Sequence, residues 1–175
     1  MILKDDKVLL RAMEEDDARV LMELINDPEI ENSVYGWSYP VSLESQKRWI
    51  SNLKNDTTVR YAIDYNDSMV GVAIISSIDM KNRIANMNIK LQKLARGKGV
   101  ATHAIALLIH YCFEELNLHC LTANVIERNS DSRKLWERFG FKKDGIMRER
   151  VYKNGKYHNI VAYSLLKDEF YERNR

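Results

Sequence analysis

Residues 99–116 restrict most strongly what this chain can become. Over GVATHAIALLIHYCFEEL the positions His103, Ala106, His110 and Glu114 fall on one narrow stripe, and the remainder is largely apolar. A helix that is apolar on nearly every side needs cover on nearly every side. Extended segments at 84–91 and 121–126, the second β-branched, stand before and after it, so the cover is a sheet and the unit is a strand–helix–strand crossover.

The pattern continues in both directions. Residues 8–12 read as a first strand. A helix follows with Val20, Leu21, Leu24 and Ile25 at helical spacing, capped by Asp16 or Asp17 and ended by Pro28. Residues 32–41, NSVYGWSYPV, read as an aromatic-rich loop, and Ser42 caps a second helix with Trp49, Ile50 and Leu53 on one face. Strands at 59–65 and 69–79 flank the turn Asn66-Asp67-Ser68, and Lys81-Asn82 turns the chain into 84–91. After 121–126, Asn129 or Ser130 opens a helix with Leu135, Trp136 and Phe139 inside, and Gly140 stops it. Asn154-Gly155 joins 145–153 to 156–166, a strong hairpin signal. The prediction is a single α/β (α+β) domain over residues 1–175, a mixed central sheet of about seven strands flanked by helices.

Composition excludes several functions. Hydrophobic residues at 45% and charged residues at 30% argue against disorder. A net charge of +2 is too balanced for a sequence-blind nucleic-acid binder. No run of apolar residues is long enough to span a membrane, and the opening residues lack a secretory apolar core, so a cytoplasmic protein is expected. The two cysteines, Cys112 and Cys120, form neither a disulfide framework nor a zinc set, and no group of residues has metal-ligand spacing. His103 and His110 read as surface histidines, Cys112 as a small buried hydrophobe, and Cys120 as a thiol at a strand entry.

The chemistry points to Arg96-Gly97-Lys98-Gly99-Val100-Ala101-Thr102, which follows a strand and opens a helix. Small residues there let a ligand approach the backbone. The first helical turn offers unpaired N–H groups and the positive end of the dipole, and Arg96 and Lys98 add charge, so a phosphate or pyrophosphate suits the site. A glycine-rich turn with two solvated basic residues is the plainer alternative. A P-loop is excluded because Gly99 follows Lys98, and the dinucleotide fingerprint because Thr102 stands where it needs a third glycine.

Arg96-Gly97-Lys98-Gly99-Val100-Ala101 matches the pattern Arg/Gln-x-x-Gly-x-Gly/Ala of the GNAT acetyltransferases. Asn129-x-x-Ser132 at the head of the next helix, with Phe139-Gly140-Phe141 closing it, resembles the family's second motif. The ending VYKNGKYHNIVAYSLL is similar to the family's C-terminal hairpin. The resemblance covers about 8–166 and is closest to the branch of spermidine and ribosomal-protein N-acetyltransferases.

The resemblance implies an acetyl-CoA site, with no metal, between strands that diverge at 84–91 and 121–126. The pyrophosphate would lie on the N–H groups of Gly97, Lys98, Gly99, Val100, Ala101 and Thr102, beside Arg96. The pantetheine arm would pair with the main chain of Ile89, Lys90 and Leu91, with Asn129, Ser132 and Arg133 alongside. Asn129 serves equally as a plain N-cap. Transfer by direct amine attack needs a route for the ammonium proton, a polarised carbonyl and an acid for the thiolate.

Two positions depart from the family pattern. Asn86 stands where many relatives carry a glutamate base, and Trp136 where many carry a tyrosine acid. Ser132 is then the candidate acid, unless it is only a first-turn serine, and Glu149 the candidate base, unless it is an exposed strand residue. The missing pair also leaves open a non-catalytic acyl-CoA-binding module.

The acceptor is expected at the aromatic loop, on Tyr35, Trp37 and Tyr39, whose faces suit an alkyl-ammonium or a sugar. The same loop could be a hydrophobic plug. Glu29, Glu31 and Glu44 bracket it, which permits a polyamine, and an amino sugar or a protein N-terminus is equally open. The partners implied are a small-molecule or peptide amine, with no nucleic acid and no membrane. A homodimer is compatible with the resemblance.

Overall fold

The computed structural model describes residues 1–34, 36 and 39–173. In chain order they form β1 (Leu3–Lys4), β2 (Leu9–Arg11), α1 (Ala18–Asn26), α2 (Pro28–Ser33), α3 (Leu43–Ser51), β3 (Val59–Tyr65), β4 (Ser68–Asp79), β5 (Ile84–Leu91), α4 (Val100–His110), β6 (Cys120–Ile126), α5 (Ser130–Arg138), β7 (Lys142–Lys153), β8 (Lys156–Leu166) and α6 (Lys167–Arg173).

Left-handed turns set the two long hairpins. Asn66 and Asp67 at φ +52° and +58° fold β4 back on β3, and Asn154 and Gly155 at +51° and +77° fold β8 back on β7. Two residues at positive φ match the strand twist, and Asn, Asp and Gly tolerate that region best. The resulting sheet has eight strands in the order β1-β2-β3-β4-β5-β6-β8-β7, and only β5 and β6 pair in parallel. The strand beyond the expected seven is β1, two residues that carry too little pattern to read.

Helices cover both faces. Odd-numbered residues such as Tyr61, Ile63, Ala73, Ile75, Ala85 and Met87 pack with Ile105, Leu108 and Ile109 of α4, Trp136 of α5 and Phe170 of α6. Ala62 and Val72 face the other way, onto Leu21 and Leu24 of α1, Ile30 of α2 and Ile50 of α3. This is the alternation a sheet covered on both faces requires. After His110 the α4 helix widens into a π-helical turn over Tyr111–Glu115.

Three local expectations need correction. Pro28 does not merely end α1; it opens α2 at the first helical position, with the Asp27 carboxylate accepting the Glu29 N–H at 2.7 Å. Neither Asp16 nor Asp17 caps α1 by its side chain. Asp17 instead accepts the Glu14 N–H at 2.8 Å and pairs with Arg11. On α3, Ser42 caps as expected, but of Trp49, Ile50 and Leu53 only Ile50 is buried; Trp49 is exposed under the Arg60 guanidinium, 5.3 Å from its ring centroid.

Candidate active site

The site begins where two strands part. β5 bonds β6 only from Ile84–Asn86 to Cys120–Thr122. Beyond that, β5 stays with β4 as far as Leu91 opposite Gly71, while β6 follows β8 to Ile126 opposite Ile160. The gap is a cleft of about 1080 Å³, lined by β5 from Asn86 to Leu91, the first turn of α4, α5, and Ser33 and Val34 at the end of α2. Ile89, Lys90 and Leu91 therefore lack a β6 neighbour along the cleft edge.

At one end lies the glycine turn. Gly97 and Gly99 adopt φ +73° and +81°, left-handed conformations that cost most residues but not glycine. No N–H group from Gly97 to Thr102 donates to a protein acceptor among the described residues. A Cβ on Gly97 would meet nothing within 4 Å, so the cradle is open. Converging N–H donors at a helix start make an anion site. The Lys7 ammonium, from the loop before β2, lies 3.3 Å from where a Cβ on Gly99 would stand, a cation the sequence reading missed. Arg96 is committed elsewhere: its Nε donates to the Leu91 carbonyl at 3.1 Å and its guanidinium pairs with Glu29 at 3.3 Å. Lys98 is exposed and does not line the cleft, whereas Val100, Ala101 and Thr102 do.

On the opposite wall, Asn129 both caps and braces. Its Oδ1 accepts the Ser132 N–H at 3.1 Å, and its Nδ2 donates to the Ser33 carbonyl at 3.2 Å, tying α2 to α5. Ser132 is half-buried, lines the cleft, and its hydroxyl bonds to none of the described residues. Arg133 does not line the cleft: it donates to the Glu127 carbonyl at 3.2 Å, and its buried Nε has no partner among the described residues. Trp136 is buried edge-on against Phe141, with ring centroids 5.1 Å apart, and forms part of the wall.

The floor is neutral and polar. Asn86 Oδ1 accepts from Thr122 Oγ1 at 3.3 Å and from Asn124 Nδ2 at 3.4 Å, and Asn86 Nδ2 donates to Ser76 Oγ at 3.4 Å. Glu149 is not part of it. That residue is exposed on a bulge of β7 at φ +50°, its N–H donating to Asn159 Oδ1 at 2.9 Å, and it does not line the cleft. Asp131 is the one carboxylate among the described lining residues.

Cations outnumber it. Lys134 and Arg138 line the cleft from α5 with Asp131 and Leu135, at a helical spacing visible in the sequence, and Arg60 and Lys90 rise from the sheet. Burial first, and then the nearby Lys153 ammonium, hold Lys90 below the ordinary lysine range. The glutamates that bracket the aromatic loop do not form an acidic channel: Glu29 pairs with Arg96, Glu31 with the buried Lys153, and Glu44 with Arg48. Tyr39 is exposed and outside the cleft lining, and Tyr35 and Trp37 lie outside the described residues. At the surface, Asp5, Asp6 and His103 bring ligand-type atoms within 4.8 Å of one another, a grouping across chain segments too distant for spacing to reveal.

Residues 7–142, well over half of the chain, match the family model of the acetyltransferase (GNAT) domain. The chain belongs to the GNAT acetyltransferase family. It is 31% identical over 173 residues to the putative ribosomal N-acetyltransferase YdaF of Bacillus subtilis, covering 95% of this chain and 94% of that one. A solved structure of a probable acetyltransferase shares 30% identity with a TM-score of 0.85, over 97% of this chain and 98% of its own. The fold is also that of spermidine N-acetyltransferase from Vibrio cholerae in complex with CoA and spermine, at a TM-score of 0.87 and 24% identity, over 95% and 99% of the two chains. The protein is thus an N-acetyltransferase of a family that uses acetyl-CoA. The open N–H cradle and adjoining Lys7 fit the pyrophosphate of that cosubstrate. No helix among the described residues is long and apolar enough to cross a membrane.

Proposed function

We propose that this acetyltransferase moves the acetyl group of acetyl-CoA to a primary amine by direct attack within the β5–β6 cleft. The observation that carries the reading is the opening of the unpaired N–H cradle, Gly97 to Thr102, into the same cleft as the free edge of Ile89–Leu91. Bound acetyl-CoA supplies an activated acyl carbon. The protein supplies position, charge and proton paths. Cradle N–H groups and Lys7 hold the phosphates, and the main chain of Ile89, Lys90 and Leu91 aligns the pantetheine arm. A backbone N–H near Ile89 or Lys90 polarises the thioester carbonyl.

As the amine nitrogen bonds to that carbon, the C–S bond breaks, the thiolate takes a proton from the Ser132 hydroxyl, and the serine oxygen regains one from the nitrogen, which sheds its second proton to become an amide. The ammonium proton of the acceptor passes to water held over the Asn86, Thr122 and Ser76 floor, since no carboxylate stands there. Asn129 holds the α5 turn that presents Ser132.

Gly99→Glu puts a carboxylate among the cradle N–H groups. In the parent protein, acetyl-CoA at about 100 times its Kd should add about 2.7 kcal/mol of stability, read as a rise in Tm. The variant should lose that rise and its calorimetric binding. An unchanged affinity would refute the cradle assignment. Ser132→Ala should lower kcat about tenfold or more while leaving acetyl-CoA affinity intact.

A further inference from the structure

The cleft has an electrostatic asymmetry that acetyl-CoA does not account for. Cross-strand register places Arg60, Ile74 and Asn88 in one row, and Ala62, Val72 and Lys90 in the next, on the sheet face turned toward α1–α3. Arg60 and Lys90 thus share that face in adjacent rows, two strands apart, and both line the cleft. They lie on the opposite face from α4.

Both are half-buried cations. Among the described residues neither is paired with a carboxylate: Arg60 has the Trp49 ring, and the charge that acts on Lys90 is the like charge of Lys153. A half-buried, unpaired cation is costly to keep unless function uses it. The glutamates nearby are committed to Arg96, Lys153 and Arg48, and Tyr35, Trp37 and Ser38 carry no carboxylate. A polycationic acceptor entering this face would meet two like charges and a neutral amide floor.

We infer that the acceptor is a primary amine that also carries a carboxylate or a phosphate, its anionic end held by Arg60 and Lys90 while its amine reaches the thioester. This rests on the acetyl-transfer reading of the cleft and deepens it. Guanidinium offers a bidentate fork to either anion and ammonium a point charge, so the pair suits both chemistries. An anion beside Lys90 would also offset the burial and the Lys153 repulsion that weaken its hold on the proton.

Thiol release from acetyl-CoA is measured with amines in matched pairs that differ by the anion: glucosamine and glucosamine 6-phosphate, ethanolamine and phosphoethanolamine, cadaverine and lysine, with spermidine as the polycation. The anionic member of at least one pair should have a KM lower by about tenfold or more, and the pair that responds distinguishes phosphate from carboxylate. Arg60→Gln should raise that KM about tenfold and leave the KM for acetyl-CoA unchanged, with Arg60→Lys recovering part of the loss. Lys90→Gln should raise the same KM independently. Preference for spermidine or the neutral members, or an Arg60→Gln variant with an unaltered acceptor KM, overturns the inference while acetyl transfer stands. Absence of thiol release with every amine overturns both.

Discussion

Glu149 shows how a side chain of the right chemistry is disqualified by its backbone. It sits at φ +50° on a bulge that shifts the β7–β8 register between Met147 and Val151, and Asn159 fixes its N–H there. Its carboxylate is exposed outside the cleft, so Glu149→Gln should leave kcat and both KM values within about twofold, measured by thiol release. Ser132 is the opposite case, an ordinary first-turn residue that the Asn129 cap turns into the cleft wall. Neither thiol competes for a role in catalysis. Burial pushes Cys112 up to about 12, and burial, then Asp144 and Glu169, raise Cys120, so both remain protonated near neutrality.

Among the elements, β5 does most for the site, and β4 determines where it lies. A Cβ on Gly71 would stand 2.4 Å from the Lys90 carbonyl and 2.5 Å from Leu91 Cδ2. Gly71→Ala must therefore push away the part of β5 that borders the cleft. We expect a loss of about 1–3 kcal/mol in urea unfolding, together with weaker acetyl-CoA binding. Local chemistry writes the Asn66-Asp67 and Asn154-Gly155 turns, the Gly97 and Gly99 turn opening α4, and the Asn129 cap into the sequence, where each is legible. Contacts between distant segments are not legible there, because only folding brings them together. Lys7 reaches the cradle from the first hairpin, Glu31 of α2 meets Lys153 at the end of β7, and Asn129 braces Ser33. Arg60 belongs to no local motif, and only the register puts it beside the cleft.

For the whole molecule, one charged cluster joins the start of the chain to the sheet. Arg11 on β2 pairs with Asp17 at 2.8 Å and with Asp64 on β3 at 2.7 Å, and Asp17 is nearly buried. Burial pushes the Asp17 carboxyl up, but hydrogen bonds from Arg11 and the Glu14 N–H outweigh it and hold it below the usual aspartate range. A depressed folded value means that the stability it contributes is present above about pH 4 and lost as pH falls through that lower value. Asp17→Asn should cost about 3 kcal/mol at neutral pH and flatten the acid branch of the stability curve, read by urea unfolding across pH.

The strand order also leaves two outer edges, and each is closed to growth in its own way. β1 offers only Leu3 and Lys4 as a platform. β7 is long, yet it carries Lys142, Lys143, Arg148 and Arg150, and the bulge at Glu149 breaks its regular spacing of N–H and C=O groups. Short length, repeated charge and an interrupted ladder are the means by which sheets avoid recruiting strands from other chains. An approaching chain would find no continuous template, so the sheet can gape at its centre to admit ligands while its rims stay inert to aggregation.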